Sequence, residues 1–218
     1  MTPEITTADR PLRRDAERNR ERILEAARVA FAEDGLDVGL HEVAKRAGVG
    51  VATVYRRFPD KEALVEALFE DRVDEVIAIA EQALEEPDGW TAIVAFLNGT
   101  CRLQADNRAL HQLVFTIAGG SRCAAGARER IAPLVAQMVA RAQEQGTMRP
   151  DVAAYDIGML RNTLGLFIEQ TGDAGADIWP RMLAIMLDGL RAGGEERPGL
   201  PGATPSAAVF EKLLQRRS

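Results

Sequence analysis

Apolar residues recur every three or four positions along most of this chain. Between residues 16 and 34, Ile23, Ala27 and Phe31 share one face, Leu24 and Ala30 flank them, and charges lie opposite. That pattern predicts an amphipathic helix, stopped by Gly35. Two short helices are predicted next, from about Leu40 to Ala47 and from about Val51 to Arg57, before Pro59 breaks the chain. Asp60 is placed to cap a long fourth helix running to about Glu86.

The helical period continues near residues 90–105, 108–118, 124–145, 152–170 and 178–192. Glycine- and proline-bearing breaks separate these segments, and no run alternates as a strand would. The fold class expected is all-α, with about nine helices. The organisation expected is a mobile basic arm over 1–15, a small helical head over 16–61 and a larger helical part over 62–192. A Gly/Pro-rich irregular tail over 193–218 completes it, its last amphipathic piece, 207–217, expected to fray.

The spacing within the head adds a motif. Ala44 is small where two helices must cross closely, Gly48 stands at the turn, and Val54 is an apolar anchor on the next helix. This is the spacing of a helix-turn-helix, which presents its second helix to a DNA major groove.

Net charge changes the picture only after division. The whole chain carries −6, which is unpromising for a DNA binder. Residues 1–61 hold 12 Lys+Arg against 11 Asp+Glu, whereas the remainder holds 15 against 22. The head's basic side chains cluster near Arg10–Arg22 and again at Lys45, Arg46, Arg56, Arg57 and Lys61. Phosphate contact depends on such local surfaces rather than on the total.

Candidate DNA contacts follow from position. Val51 and Thr53 lie in the first turn of the recognition helix, apolar for a thymine methyl and hydroxylated for a base edge or a phosphate. Tyr55 carries a hydroxyl on a rigid stem, suited to a phosphate. Arg56 and Arg57 supply one guanidinium for a guanine and one for the backbone. Lys61 adds its charge to the positive end of the fourth helix, and Arg14 and Arg18 belong to the N-terminal basic cluster. Taken singly, each also reads as a packed tyrosine or a solvated cation; the ordered set carries the reading.

The stretch AGVGVATVYRRFPDKEAL resembles the signature of TetR-type transcriptional regulators, over about residues 17–70. The resemblance implies an N-terminal DNA-binding domain on a ligand-binding, dimerising helical domain. It implies DNA contact at Thr53, Tyr55, Arg57 and Lys61, and at His41, which opens the second helix. Two departures stand out: the usual Thr capping the second helix is Gly39, and the usual Ser before the third is Gly50. Both glycines still permit a cap, but any hydroxyl contact to phosphate is lost.

The larger part is then expected to sense a small molecule, in a mostly apolar pocket with few polar groups. Helical stripes nominate Leu97, Cys101, His111, Phe115, Met138, Asn162, Leu166 and Phe167, although the apolar members read equally well as core. The helices near 152–171 and 177–192 are apolar on more than one face, which suits a four-helix interface in a homodimer. Such a dimer would read a near-palindromic operator.

No cofactor or metal is expected, since His41 and His111 lack companions at ligand spacing. Nor is an enzyme expected: no activated nucleophile, acid–base pair or phosphate loop stands out. Two cysteines form no disulfide framework, and no leader or membrane-spanning run is evident, so a cytoplasmic protein is expected. The function expected is a repressor released by a small ligand; the alternative is an activator or a ligandless architectural DNA-binding protein.

Overall fold

A computed structural model describes residues 9–106, 122–171, 178–193, 198–202, Ser206 and Ala208. Eight α-helices and one short 3-10 turn are present among them, with no β-strand. The predicted segment at 108–118 and most of the fraying tail piece lie outside the described residues, as do His111 and Phe115. The chain divides into two compact units, Met1–Leu68 and Phe69–Ser218.

The first unit opens with α1 (Asp9–Asp34) and the turn Gly35–Asp37, followed by α2 (Leu40–Ala47) and α3 (Val51–Arg57). It closes with the start of α4 (Lys61–Leu84). The helix α1 begins at Asp9, not at residue 16, so residues 9–15 are not the irregular arm that Pro11 suggested. Pro11 is the third residue of the helix, where no backbone N–H has an intrahelical acceptor and the ring costs nothing. Ile23, Ala27, Val43, Ala44, Val54, Leu64 and Val65 are fully enclosed, with Leu24 and Phe31 nearly so.

The turn between α2 and α3 follows the expected chemistry. Gly48 adopts φ 61, ψ 38, the left-handed conformation that favours glycine. Its N–H donates to Lys45 O at 3.2 Å, and Val49 N–H donates to Ala44 O at 3.1 Å, so the end of α2 keeps its carbonyls paired. At the next break, Asp60 caps α4 by accepting from the Ala63 N–H at 2.8 Å.

The second unit contains the rest of α4, then α5 (Gly89–Asp106), α6 (Arg122–Glu144), α7 (Ala154–Thr171) and α8 (Trp179–Leu190). Ile93, Leu97, Met138, Ile157, Leu164 and Leu183 lie at the centre of its apolar core. Gly89 sits directly against the backbone of Ala142, an approach that leaves no room for a Cβ. Asp88 starts α5, accepting from Trp90 N–H at 3.0 Å and Thr91 Oγ1–H at 2.8 Å. The Thr91 hydroxyl is the main reason its carboxyl lies below the usual range.

Irregular backbone in the tail is tied down. Arg149 grips Asp151 through two N–H groups at 2.6 and 2.8 Å and donates to Pro198 O, while Asp151 accepts from Leu200 N–H at 2.8 Å. The guanidinium first, and the Leu200 amide second, hold the Asp151 carboxyl down at about 2. Among the described residues, no helix is long and apolar enough to cross a membrane and no cluster could hold a metal ion.

Candidate nucleic-acid interface and a buried polar cluster

The recognition helix α3 is short, and its sequence divides its faces cleanly. Val54 is fully buried and fixes the helix to the head, while Ala52, Arg56 and Arg57 are exposed and Tyr55 is 44% exposed. Val51 and Thr53 are half-buried in its first turn. Phe58 ends the helix, its N–H donating to Val54 O at 2.8 Å while its ring is buried.

His41 is exposed at the start of α2, and its ring meets Tyr55 edge-on with centroids 5.9 Å apart. Two predicted contact residues from different helices thus form one surface. Lys61, at the first turn of α4, holds its ammonium 5.6 Å from the Phe31 ring centroid. That cation–π contact fixes the charge near the positive end of the helix. Among the described residues, Arg56 and Arg57 make no ion pair, so their guanidinia are available to phosphate or base.

Other members of the basic cluster have structural work. Arg22 reaches from α1 to the turn, donating to Ala47 O at 2.7 Å and Gly48 O at 3.3 Å. Arg46 bridges Glu33 at 2.6 Å, Asp34 at 2.5 Å and Glu42 at 3.2 Å. Hydrogen bonds to Glu33 and then Glu42 raise its pKa. Both arginines brace the head. Arg18 is exposed on α1, 3.9 Å from Asp15, too long for a strong pair; the Arg14 side chain lies outside the described residues.

Gly39 and Gly50 are the N-cap residues of α2 and α3, and neither offers a side-chain bond. Their φ values, −91 and −65, suit any residue, and nothing lies within 4 Å of where a Gly39 Cβ would stand. The departures from the Thr/Ser pattern are therefore losses of a hydroxyl, with no backbone need for glycine.

In the second unit, Leu97, Cys101 and Met138 are essentially inaccessible members of the apolar core, whereas Asn162, Leu166 and Phe167 are half-buried on α7. Burial pushes the Cys101 thiol up to about 11, which makes it a poor nucleophile.

Sequence reasoning missed the polar groups beside them. Gln104 is buried and donates from Nε2 to Gly165 O and to Glu169 Oε1, both at 3.0 Å. A Cβ at Gly165 would lie 2.6 Å from Gln104 Oε1, so a larger residue there would have to displace the amide. Arg161, on the same helix, has a buried Nε with no hydrogen-bond partner. A signal existed in the sequence: Arg161 interrupts the stripe Ile157–Leu164–Ile168, and Gln104 extends the stripe Ile93–Leu97–Thr100.

A turn-linked helix pair backed by α1, with an exposed row of Tyr, Arg and His, defines a helix-turn-helix DNA-reading head. Comparisons with known proteins agree. Residues 23–68 match the family described as bacterial regulatory proteins, tetR family, and residues 88–192 match the C-terminal domain of SbtR-like transcriptional regulators. A TetR transcription regulatory protein from Mycobacterium vanbaalenii is 34% identical, with a TM-score of 0.62 over 83% of this chain and 99% of that one. A TetR transcriptional regulator from Streptomyces coelicolor is 28% identical, with a TM-score of 0.61 over 80% and 99%. An HTH-type transcriptional regulator of Staphylococcus aureus (strain USA300) is 30% identical over 105 residues, 47% of this chain and 57% of that protein. The chain thus spans little more than half the length of that relative. The chain belongs to the TetR family of bacterial transcriptional regulators.

Proposed function

We propose that this DNA-binding regulator is a homodimeric repressor, released from a near-palindromic operator by a small molecule. The observation that carries the reading is the outer face of α8. Ile185 is 58% exposed and Ile178, just before the helix, 45%, with Met182 and Met186 half-buried. Large apolar side chains left in water on a helix are the mark of a surface that meets a partner. A second copy pairing through α7 and α8 covers them as a four-helix interface. Two heads then read two half-sites, with His41, Thr53, Tyr55, Arg56, Arg57 and Lys61 as the contacts.

Release needs only a ligand that binds the non-binding arrangement of the heads better than the binding one. Coupling of roughly 1–3 kcal/mol weakens operator affinity about 5–150-fold. The effector site in this reading lies along α5 and α7, near Asn162, Leu166 and Phe167. The test is selection of bound sequences from a random DNA pool by the purified protein at fixed salt. A palindromic motif is expected. An asymmetric motif would remove the dimer from the reading, and recovery of no motif would remove sequence-specific repression.

A further inference from the structure

The first helix of the head is longer than its packing requires. It starts at Asp9, yet its first buried side chain among the described residues is Ile23. From Asp15 to Arg22 every side chain is exposed or half-buried. Nearly four turns, about 20 Å of helix at 1.5 Å per residue, therefore precede the core. Leu12 and Ala16, with Pro11, are the only apolar residues there, so this stretch has no apolar stripe to cover. Six arginines stand against four acids over residues 9–22. A surplus of positive charge on a helix with no core-facing side suits a polyanion.

Spacing orders that charge. Arg10, Arg14, Arg18 and Arg22 recur at every fourth residue, so they form one row that turns only about 40° per step. The last member of the row touches the reading motif. Arg22 donates to Ala47 O at 2.7 Å and to Gly48 O at 3.3 Å, in the turn that leads into α3. Arg18, one turn further out, leaves its side chain 72% exposed, with Asp15 as far as 3.9 Å away. Arg20, off the row, is only 24% exposed. In a docked helix-turn-helix the first helix crosses the DNA backbone while the second enters the groove. The row is thus continuous with the surface that reads DNA.

We propose that the N-terminal half of α1 is a second DNA element, in which Arg10, Arg14 and Arg18 hold the phosphodiester backbone flanking each half-site. A guanidinium fork matches phosphate oxygens, and such contacts lengthen the bound site without reading its bases. Duplex DNA carries one charge per roughly 1.7 Å of its axis, so a helix of this length meets several phosphates. This inference rests on operator binding by the helix-turn-helix and extends it to the flanks.

The test compares the full chain with its Arg10→Ala/Arg14→Ala/Arg18→Ala variant on the selected operator, with and without flanking base pairs, over a range of salt. Alanine keeps the helix propensity of the stretch, so the variant is expected to retain the parent's Tm and helical content. Its affinity for the flanked operator is expected to fall tenfold or more, and its salt dependence to become shallower by two or more phosphate contacts. Base preference within the motif is expected to stay the same. Removing the flanks is expected to weaken the parent and to leave the variant unchanged. Arg20→Ala, which also removes one charge from this helix, is expected to bind as the parent does.

An unchanged affinity and salt dependence in the triple variant would overturn the proposal while operator binding stands. A relaxed base preference would overturn it too, by making these arginines readers of sequence. So would a loss in Arg20→Ala equal to that of Arg18→Ala alone, which would reduce the effect to net charge. If the parent binds no duplex, both this inference and the operator reading fall.

Discussion

The two units place their exceptional polar groups on opposite sides of their cores. In Met1–Leu68 the buried side chains among the described residues are apolar, and Tyr55, Arg56, Arg57 and His41 stand outside them, ordered along two short helices. In Phe69–Ser218 the outer face of α8 carries Ile185, while Thr100 and Gln104 are buried and the Arg161 Nε is enclosed. A surface that meets a polyanion needs charge facing water. A site that encloses a small molecule needs its few polar groups inside. The contrast fits the contacts proposed for the first unit and the effector site proposed for the second.

The largest effect that sharpens this contrast lies in the second core. Leu97→Ala removes a fully buried side chain and is expected to cost about 2–5 kcal/mol in chemical denaturation. A cost well under 1 kcal/mol would mean that Leu97 lines open space rather than packed core.

Next come the head's outward groups, which should affect binding without affecting folding. Arg56→Ala or Arg57→Ala is expected to weaken operator binding by about 1–3 kcal/mol and to relax base preference. Tyr55→Phe and Lys61→Ala should weaken many sequences alike, and Lys61→Ala should reduce the salt dependence by about one phosphate contact. If unfolding transitions shift as much as affinities do, these side chains belong to the head's packing.

Arg22→Ala reverses the expectation. It breaks the brace to Ala47 O and should lower head stability by about 1 kcal/mol, with the salt dependence of DNA binding unchanged. A shallower salt dependence would return Arg22 to the phosphate surface. The smallest effect belongs to Gly39→Ser. A cap hydroxyl there should add a few tenths of a kcal/mol, readable as a slightly higher Tm, because the site is open and its backbone suits serine.

The head was legible in the sequence because its determinants are local. Ala44, Gly48 and Val54 lie within eleven residues, each required by its own backbone or crossing, and both short helices begin and end where the pattern placed them. The start of α1 was misplaced because Pro11 reads as a breaker until its place in the first turn is known. The braces from Arg22 to Ala47 O and from Arg46 to Glu33 and Asp34 could not be read from the sequence, because those partners lie 25 and 12–13 residues away, beyond any helical period. Gln104 and Gly165, 61 residues apart, show the same limit in the second unit. Periodicity finds the stripe, but only the packed structure says what a polar residue in the stripe touches.

The brace at the helix-turn-helix turn has a consequence for paired substitutions. A Cβ at position 48 would stand 3.0 Å from Arg22 Nη2, on a backbone that already favours glycine. A side chain at 48 therefore presses on the Arg22 brace, and Gly48→Asn should be better tolerated beside Arg22→Ala than beside the native arginine.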